Sequence, residues 1–139
     1  MVALSRPYHL LIADDDAGFR ETLRAVFEPH FVTIEAATGE EAVELVEREQ
    51  VDIALFDMHM PRLTGLEALR ILSARDLLPP SILITADPTE ELRRDAAEAR
   101  AFSVMGKPIA RLELVRTVSR ALAAAYAEWR GFPFGLARD

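Results

Sequence analysis

The sequence predicts an α/β fold, a doubly wound five-stranded parallel sheet of flavodoxin-like order 2-1-3-4-5 with five helices. Three observations lead there. Short apolar segments alternate five times with longer helical patterns, the rhythm of strands joined by crossover helices. Residues 51–56 are apolar almost throughout, as a strand covered on both faces must be. The polar residues Asp14, Asp15, Asp57, Thr85 and Lys107 stand where apolar runs stop, which in a parallel sheet is one edge.

Each element has its own signal. Residues 8–13 read as the first strand, after which Asp16 caps a helix carrying Phe19, Leu23, Val26 and Phe27 at core-facing spacing, closed by Pro29. Residues 31–36 form the second strand, and Thr38-Gly39-Glu40-Glu41 is a capping box for a helix running to about Glu49. The third strand, 51–56, stops at Asp57. A second capping box, Thr64-Gly65-Leu66-Glu67, opens a helix through Leu66, Leu69 and Leu72 toward Asp76. Residues 81–85 are the fourth strand, and Asp87-Pro88-Thr89-Glu90 reads as a cap with proline at the first helical position. The helix that follows has a thin stripe, Leu92, Ala96 and Ala99, so it buries little and shifts at low cost. Residues 102–105 are the fifth strand. From Ala110 to about Arg130 a long helical stripe runs through Leu112, Val115, Val118, Leu122, Tyr126 and Trp129. Residues 1–130 are expected to form the domain, and 131–139 a tail.

Composition narrows the function. The 139 residues suffice for one packed domain. Without cysteine there is no disulfide or thiolate site, and the cytoplasm is the default compartment. No apolar run spans a bilayer and no targeting segment is visible, so no membrane partner is expected. A net charge of −7 argues against direct nucleic acid binding, which needs a basic surface.

In an open parallel sheet the ligand site lies beyond the strand ends where the order reverses, here between strands one and three. Asp14, Asp15 and Asp57 converge there. Clustered like charges raise a pKa or recruit a cation, and an all-oxygen site suits Mg²⁺. Lys107 beside such a cluster pairs either with a transferred anion or with Asp57 itself. A carboxylate flanked by a divalent ion, a hydroxyl and an ammonium is the set that phosphoryl transfer requires, with the carboxylate as nucleophile.

The segments Leu11-Ile12-Ala13-Asp14-Asp15-Asp16, Asp57-Met58-His59-Met60-Pro61, Thr85-Ala86 and Lys107-Pro108 together resemble the receiver domains of bacterial two-component response regulators. The resemblance covers residues 8–122. It implies that Asp57 is the phosphoacceptor and that Asp14, Asp15, Asp57 and the backbone carbonyl of His59 hold Mg²⁺. It further implies that Thr85 bonds the phosphoryl group, that Lys107 forms the ion pair, and that the bond before Pro108 is cis. Asp16 is read as a cap, and Gly65 matches the family's glycine after the phosphoacceptor loop. The implied partners are a histidine kinase or phosphotransfer protein and a downstream target or output domain. One position departs: the family usually has Tyr or Phe three residues before the lysine, where this chain has Val104.

The chain is read as a signalling module and not as an enzyme. Phosphatases of the haloacid dehalogenase type share the strand-end aspartate, Thr or Ser, Lys and Mg²⁺, but place a second aspartate where this chain has His59. A flavodoxin-like FMN carrier would want glycines and hydroxyls where Asp14-Asp15-Asp16 stand. An interaction module that signals without phosphorylation is the closer rival, supported by Val104. The side chain of His59 is expected to border the phosphoryl site. The last helical stripe outruns the family's usual final helix, so Leu122, Tyr126 and Trp129 need a cover, with Phe132 and Phe134 nearby. That cover is either a second chain or the domain's own core, and the expectation taken is self-association, a homodimer through the last helix and tail with Leu122, Tyr126 and Trp129 as the contact stripe.

Overall fold

The computed structural model describes residues 6–132. Along the chain run β1 (His9–Ala13), α1 (Ala17–Phe27), β2 (Val32–Ala36), α2 (Gly39–Arg48), β3 (Ile53–Asp57), α3 (Gly65–Ala74), β4 (Ser81–Thr85), α4 (Glu90–Glu98), β5 (Ser103–Gly106) and α5 (Arg111–Ala125). All strand pairs are parallel, in the order β2-β1-β3-β4-β5. The expected fold is the observed one.

Alternation along each strand sorts the core into two layers. Leu10 and Ile12, Ile53 and Leu55, and Ile82 and Ile84 face α1 and α5, where Leu23, Phe27, Leu114, Val115, Val118 and Leu122 cover them. Leu11, Ala13, Ala54, Phe56, Leu83 and Val104 face α2, α3 and α4, meeting Ala42, Leu69, Leu72 and Ala96. Every residue of β3 and β4 is buried, as their apolar composition requires. At about 25 cal/mol per Å² these two layers are the fold's main source of stability.

Several boundaries differ from the sequence expectation. The Asp87-Pro88 cap is not used: α4 is capped by Thr89, whose hydroxyl accepts from the Leu92 amide at 3.0 Å. The Thr64–Glu67 capping box closes in both directions, whereas Glu41 reaches past Thr38 to the Ala37 amide. β5 begins one residue late, leaving Phe102 40% exposed. The helix expected to reach about Arg130 ends at Ala125, and its buried stripe holds Leu114, with Leu112 only half-buried.

That early end has a cause. Tyr126 leaves helical geometry at φ −129° and ψ 114°, and its hydroxyl donates to the Asp52 carbonyl at 2.8 Å. The chain then folds back, and Trp129 Nε1 donates to Ser119 Oγ at 3.1 Å. Its ring meets Tyr8, Phe31 and Phe132 at centroid separations of 5.2, 6.2 and 5.3 Å. Of the two covers expected for this stripe, the structure supplies the intramolecular one. Phe134 and the rest of the expected tail beyond Phe132 lie outside the described residues.

Candidate functional site

Parallel strands end on the same side, and their register sets the site. Ala13 pairs with Phe56, so Asp14 and Asp57, each the next residue, emerge side by side. Asp57 lies opposite Ile84 and Thr85 opposite Gly106, so each later strand delivers its polar residue one step further out. The sequence-expected residues Asp14, Asp15, Asp57, Thr85 and Lys107 therefore collect at one edge.

Carboxylate oxygens of Asp14, Asp15 and Asp57 lie within 4.8 Å of one another. Asp14 and Asp57 are buried, at 1% and 4% exposure, while Asp15 faces solvent. Lys107 Nζ stands 3.0 Å from Asp57 Oδ1 and 3.5 Å from Asp14 Oδ2. Asp57 Oδ1 is buried and accepts no well-aligned hydrogen bond among the described residues, so the ammonium is its ion-pair partner. Burial pushes the Asp14 carboxyl above the usual carboxylate range and Asp57 adds to this, against the Asp16 amide and Lys107. Burial also opposes the Lys107 charge, but Asp57 and Asp14 outweigh it and the ammonium is held more tightly than normal.

One ammonium cannot neutralise three carboxylates. The excess negative charge, the all-oxygen donor set and the solvent-facing Asp15 fit a hard divalent cation that keeps some of its waters. No ligand set other than this one is grouped among the described residues.

Thr85 is fully buried, yet its Oγ1 accepts from the Asp87 amide at 3.1 Å and lies 3.5 Å from His59 Nε2. His59 was expected to border the phosphoryl site, and the contact seen is this one with Thr85. His59 itself is exposed. Gly65 is needed for a steric reason: a Cβ there would come within 2.4 Å of the Asp57 carbonyl oxygen and 2.8 Å of Leu83 Cδ1. Its amide donates to the Met58 carbonyl at 3.0 Å, tying the start of α3 to the end of β3. The Lys107–Pro108 bond is cis.

Two neighbours escaped the sequence reading. Phe19, assigned to the core by its spacing, places its ring centroid 4.2 Å from Lys107 Nζ. Arg93 of α4 donates to the Val104 carbonyl at 3.2 Å, joining α4 to the β5 position at which the sequence departs from the receiver resemblance. Neither has a local signal, because each partner lies on another element.

The family model described as a response regulator receiver domain matches residues 10–119. The chain is 30% identical over 119 residues to the transcriptional regulatory protein PdtaR of Mycobacterium tuberculosis, covering 84% of this chain and 58% of that protein. It is 39% identical over 111 residues to the response regulator MprA of Mycobacterium leprae, covering 78% and 48%. The chain thus spans about half the length of the curated relatives it matches. Among solved structures, a chain of the CheX–CheY–BeF3–Mg²⁺ complex of Borrelia burgdorferi superposes with a TM-score of 0.77 at 30% identity, over 82% of this chain and 88% of that one. The receiver domain of the Francisella response regulator 1452 superposes at 0.79 and 27% identity, over 86% and 98%.

Proposed function

Because the chain belongs to the response regulator receiver domain family, we propose that Asp57 takes a phosphoryl group from a histidine kinase or phosphotransfer protein and that the change alters contacts with a downstream target or output domain. The observation that carries this reading is the buried Asp57 carboxylate with the Lys107 ammonium 3.0 Å away and two further carboxylates beside it.

The step is a displacement at phosphorus. A carboxylate oxygen of Asp57 forms the new oxygen–phosphorus bond as the phosphorus–nitrogen bond of a phosphohistidine breaks, and the departing imidazole takes up a proton. Asp14, Asp15, Asp57 and the His59 carbonyl would hold Mg²⁺, which offsets negative charge on the phosphoryl oxygens. Lys107 pairs with those oxygens from the other side, and Thr85 turns its hydroxyl from the Asp87 amide toward them. The CheX–CheY complex solved with BeF3 and Mg²⁺ supports the choice of ion.

The reading is of a signalling module. His59 stands where a haloacid dehalogenase type phosphatase needs its second carboxylate, so this edge lacks that proton-transfer group. We place the receiver domain at residues 1–130 and a tail at 131–139, with Phe132 as the tail's contact with the body, 5.6 Å from Phe31 between ring centroids. Among the described residues no helix is long and apolar enough to cross a membrane. The net charge of −7 supports a protein partner and not nucleic acid. Self-association through the last helix loses its contact stripe, since Leu122, Tyr126 and Trp129 pack within the chain.

The rival reading, an interaction module independent of phosphorylation, rests on Val104. One experiment separates the two. Incubated with acetyl phosphate and Mg²⁺, the chain gains one phosphoryl mass and the Asp57→Asn variant does not. No gain in the wild type, or an equal gain in the variant, refutes the phosphoacceptor reading.

A further inference from the structure

The Lys107 ammonium has a partner that is not an oxygen, the ring of Phe19 on α1, with 4.2 Å between Nζ and the centroid. We propose that Phe19 is a positioning residue for phosphoryl acceptance, its ring face holding Lys107 over Asp57. This rests on the phosphoacceptor reading above and names a residue through which that site works.

The ring is placed by its own backbone, independently of the lysine. Asp16 caps α1 by accepting from the Gly18 amide at 2.9 Å and the Phe19 amide at 3.2 Å. The next residue, Arg20, donates to the Asp14 carbonyl at 2.6 Å and pairs with Glu35 at 3.0 Å, clamping the first turn of α1 to β1 and β2. The half-buried ring packs on the core layer of Leu23 and Phe27. One end of the contact is therefore rigid.

The other end is not. A lysine is a compact charge on a flexible four-carbon stem, and the Lys107 side chain keeps 30% of its surface in solvent. Asp57 and Asp14 hold it through oxygens at 3.0 and 3.5 Å. An aromatic face attracts an ammonium through the ring quadrupole, more strongly as water is excluded. It also brings no charge, takes up no proton and offers no oxygen to a metal ion. A fourth carboxylate at this place would add to the negative charge already gathered by Asp14, Asp15 and Asp57. The ring restrains the ammonium without competing for a divalent cation, which draws on Asp14 as well.

The test uses the full chain with residue 19 as Phe, Leu, Tyr, or phenylalanine carrying one to three ring fluorines, which weaken the quadrupole at nearly constant size. The readouts are the initial rate of phosphoryl gain from acetyl phosphate with Mg²⁺, the thermal midpoint, and the Lys107 ε-methylene proton shifts in the metal-free chain. Phe19→Leu is expected to slow acceptance about two- to fivefold, Phe19→Tyr to restore it, and successive fluorines to lower it stepwise at an unchanged midpoint. The ε-methylene protons are expected upfield in the wild type and at ordinary positions in the Leu variant. A rate unchanged in Phe19→Leu, a flat fluorine series, or no upfield shift in the wild type overturns the proposal. If the wild type accepts no phosphoryl group, the phosphoacceptor reading falls and this inference with it. A wild type that accepts alongside a flat series defeats this inference alone.

Discussion

The Lys107 ammonium meets Asp57 Oδ1 at 3.0 Å although β4 lies between the strands that carry them. The lysine follows β5 and the aspartate ends β3, so the side chain must cross the end of β4, where Thr85 sits. The sheet order thereby delivers all three residues to one edge, and the ring of Phe19 meets the ammonium there.

Removing that cation tests its electrostatic part. Lys107→Ala leaves Asp14 and Asp57 buried with no facing charge, so the stability in metal-free buffer at neutral pH should fall by about 1–2 kcal/mol after allowing for the partly exposed ammonium, and the thermal midpoint with it. Mg²⁺ should then raise the midpoint more in the variant than in the wild type, because it restores the missing positive charge. Thermal unfolding with and without Mg²⁺ checks both; equal responses would show that Lys107 does not screen the cluster.

Coupling to α4 should run through Thr85. Only Ala96 is buried within that helix, which is tied to the sheet by the Arg93 bond to the Val104 carbonyl at 3.2 Å. Thr85→Val keeps the volume and removes the hydroxyl that accepts from Asp87. Hydrogen exchange over residues 89–101 should change on phosphorylation in the wild type and stay unchanged in Thr85→Val. An identical response in both would exclude this route.

Acid stability should report Asp52, far from the site. Burial pushes its carboxyl up, but Arg6, 3.0 Å away, and the His9 amide, at 2.7 Å, pull it below the usual carboxylate range. A carboxyl depressed in the folded state contributes stability that is complete above its unfolded pKa, about 4, and lost as the pH falls through the folded value. Asp52→Asn should therefore destabilise the chain by about 1–3 kcal/mol at pH 7. The gap should narrow below about pH 4. A gap of constant size across that range would assign the loss to packing.

The fold-back after α5 predicts a monomer whose stability depends on its single tryptophan. Trp129→Ala removes three ring contacts and the bond to Ser119, and should cost about 2 kcal/mol, less than a fully buried Trp. Urea unfolding followed by circular dichroism measures this, and sedimentation should show a monomer for both chains. A wild-type dimer that the substitution dissociates would return Trp129 to an interface between copies.

Much of the molecule is legible in the amino-acid order because the relevant forces are short-range. Short apolar runs such as 53–56, bounded by polar residues, suit strands covered on both faces, and Thr64 with Glu67 satisfies a helix start within four residues. Once the strands are parallel, their ends share an edge, so Asp14, Asp57, Thr85 and Lys107 converge whatever the details of packing.

What the sequence left open depends on residues far apart in the chain. Thr89 and Asp87 both suit a helix cap, and the position of Pro88 against Gly106, 3.1 Å from where a Cβ would stand, belongs to the packed loop and not to local propensity. Periodicity carried α5 on to Trp129, but a hydroxyl reaching Asp52 and an indole finding Tyr8 and Phe31 outweigh another helical turn. Phe19 reads equally well as core until α1 is docked on β1 and β2 and the Lys107 ammonium meets its ring. Helix and strand content thus follows from periods and caps within a few residues, while the ring over Lys107 and the turn at Tyr126 were decided by tertiary packing, because only the folded sheet brings those partners within contact distance.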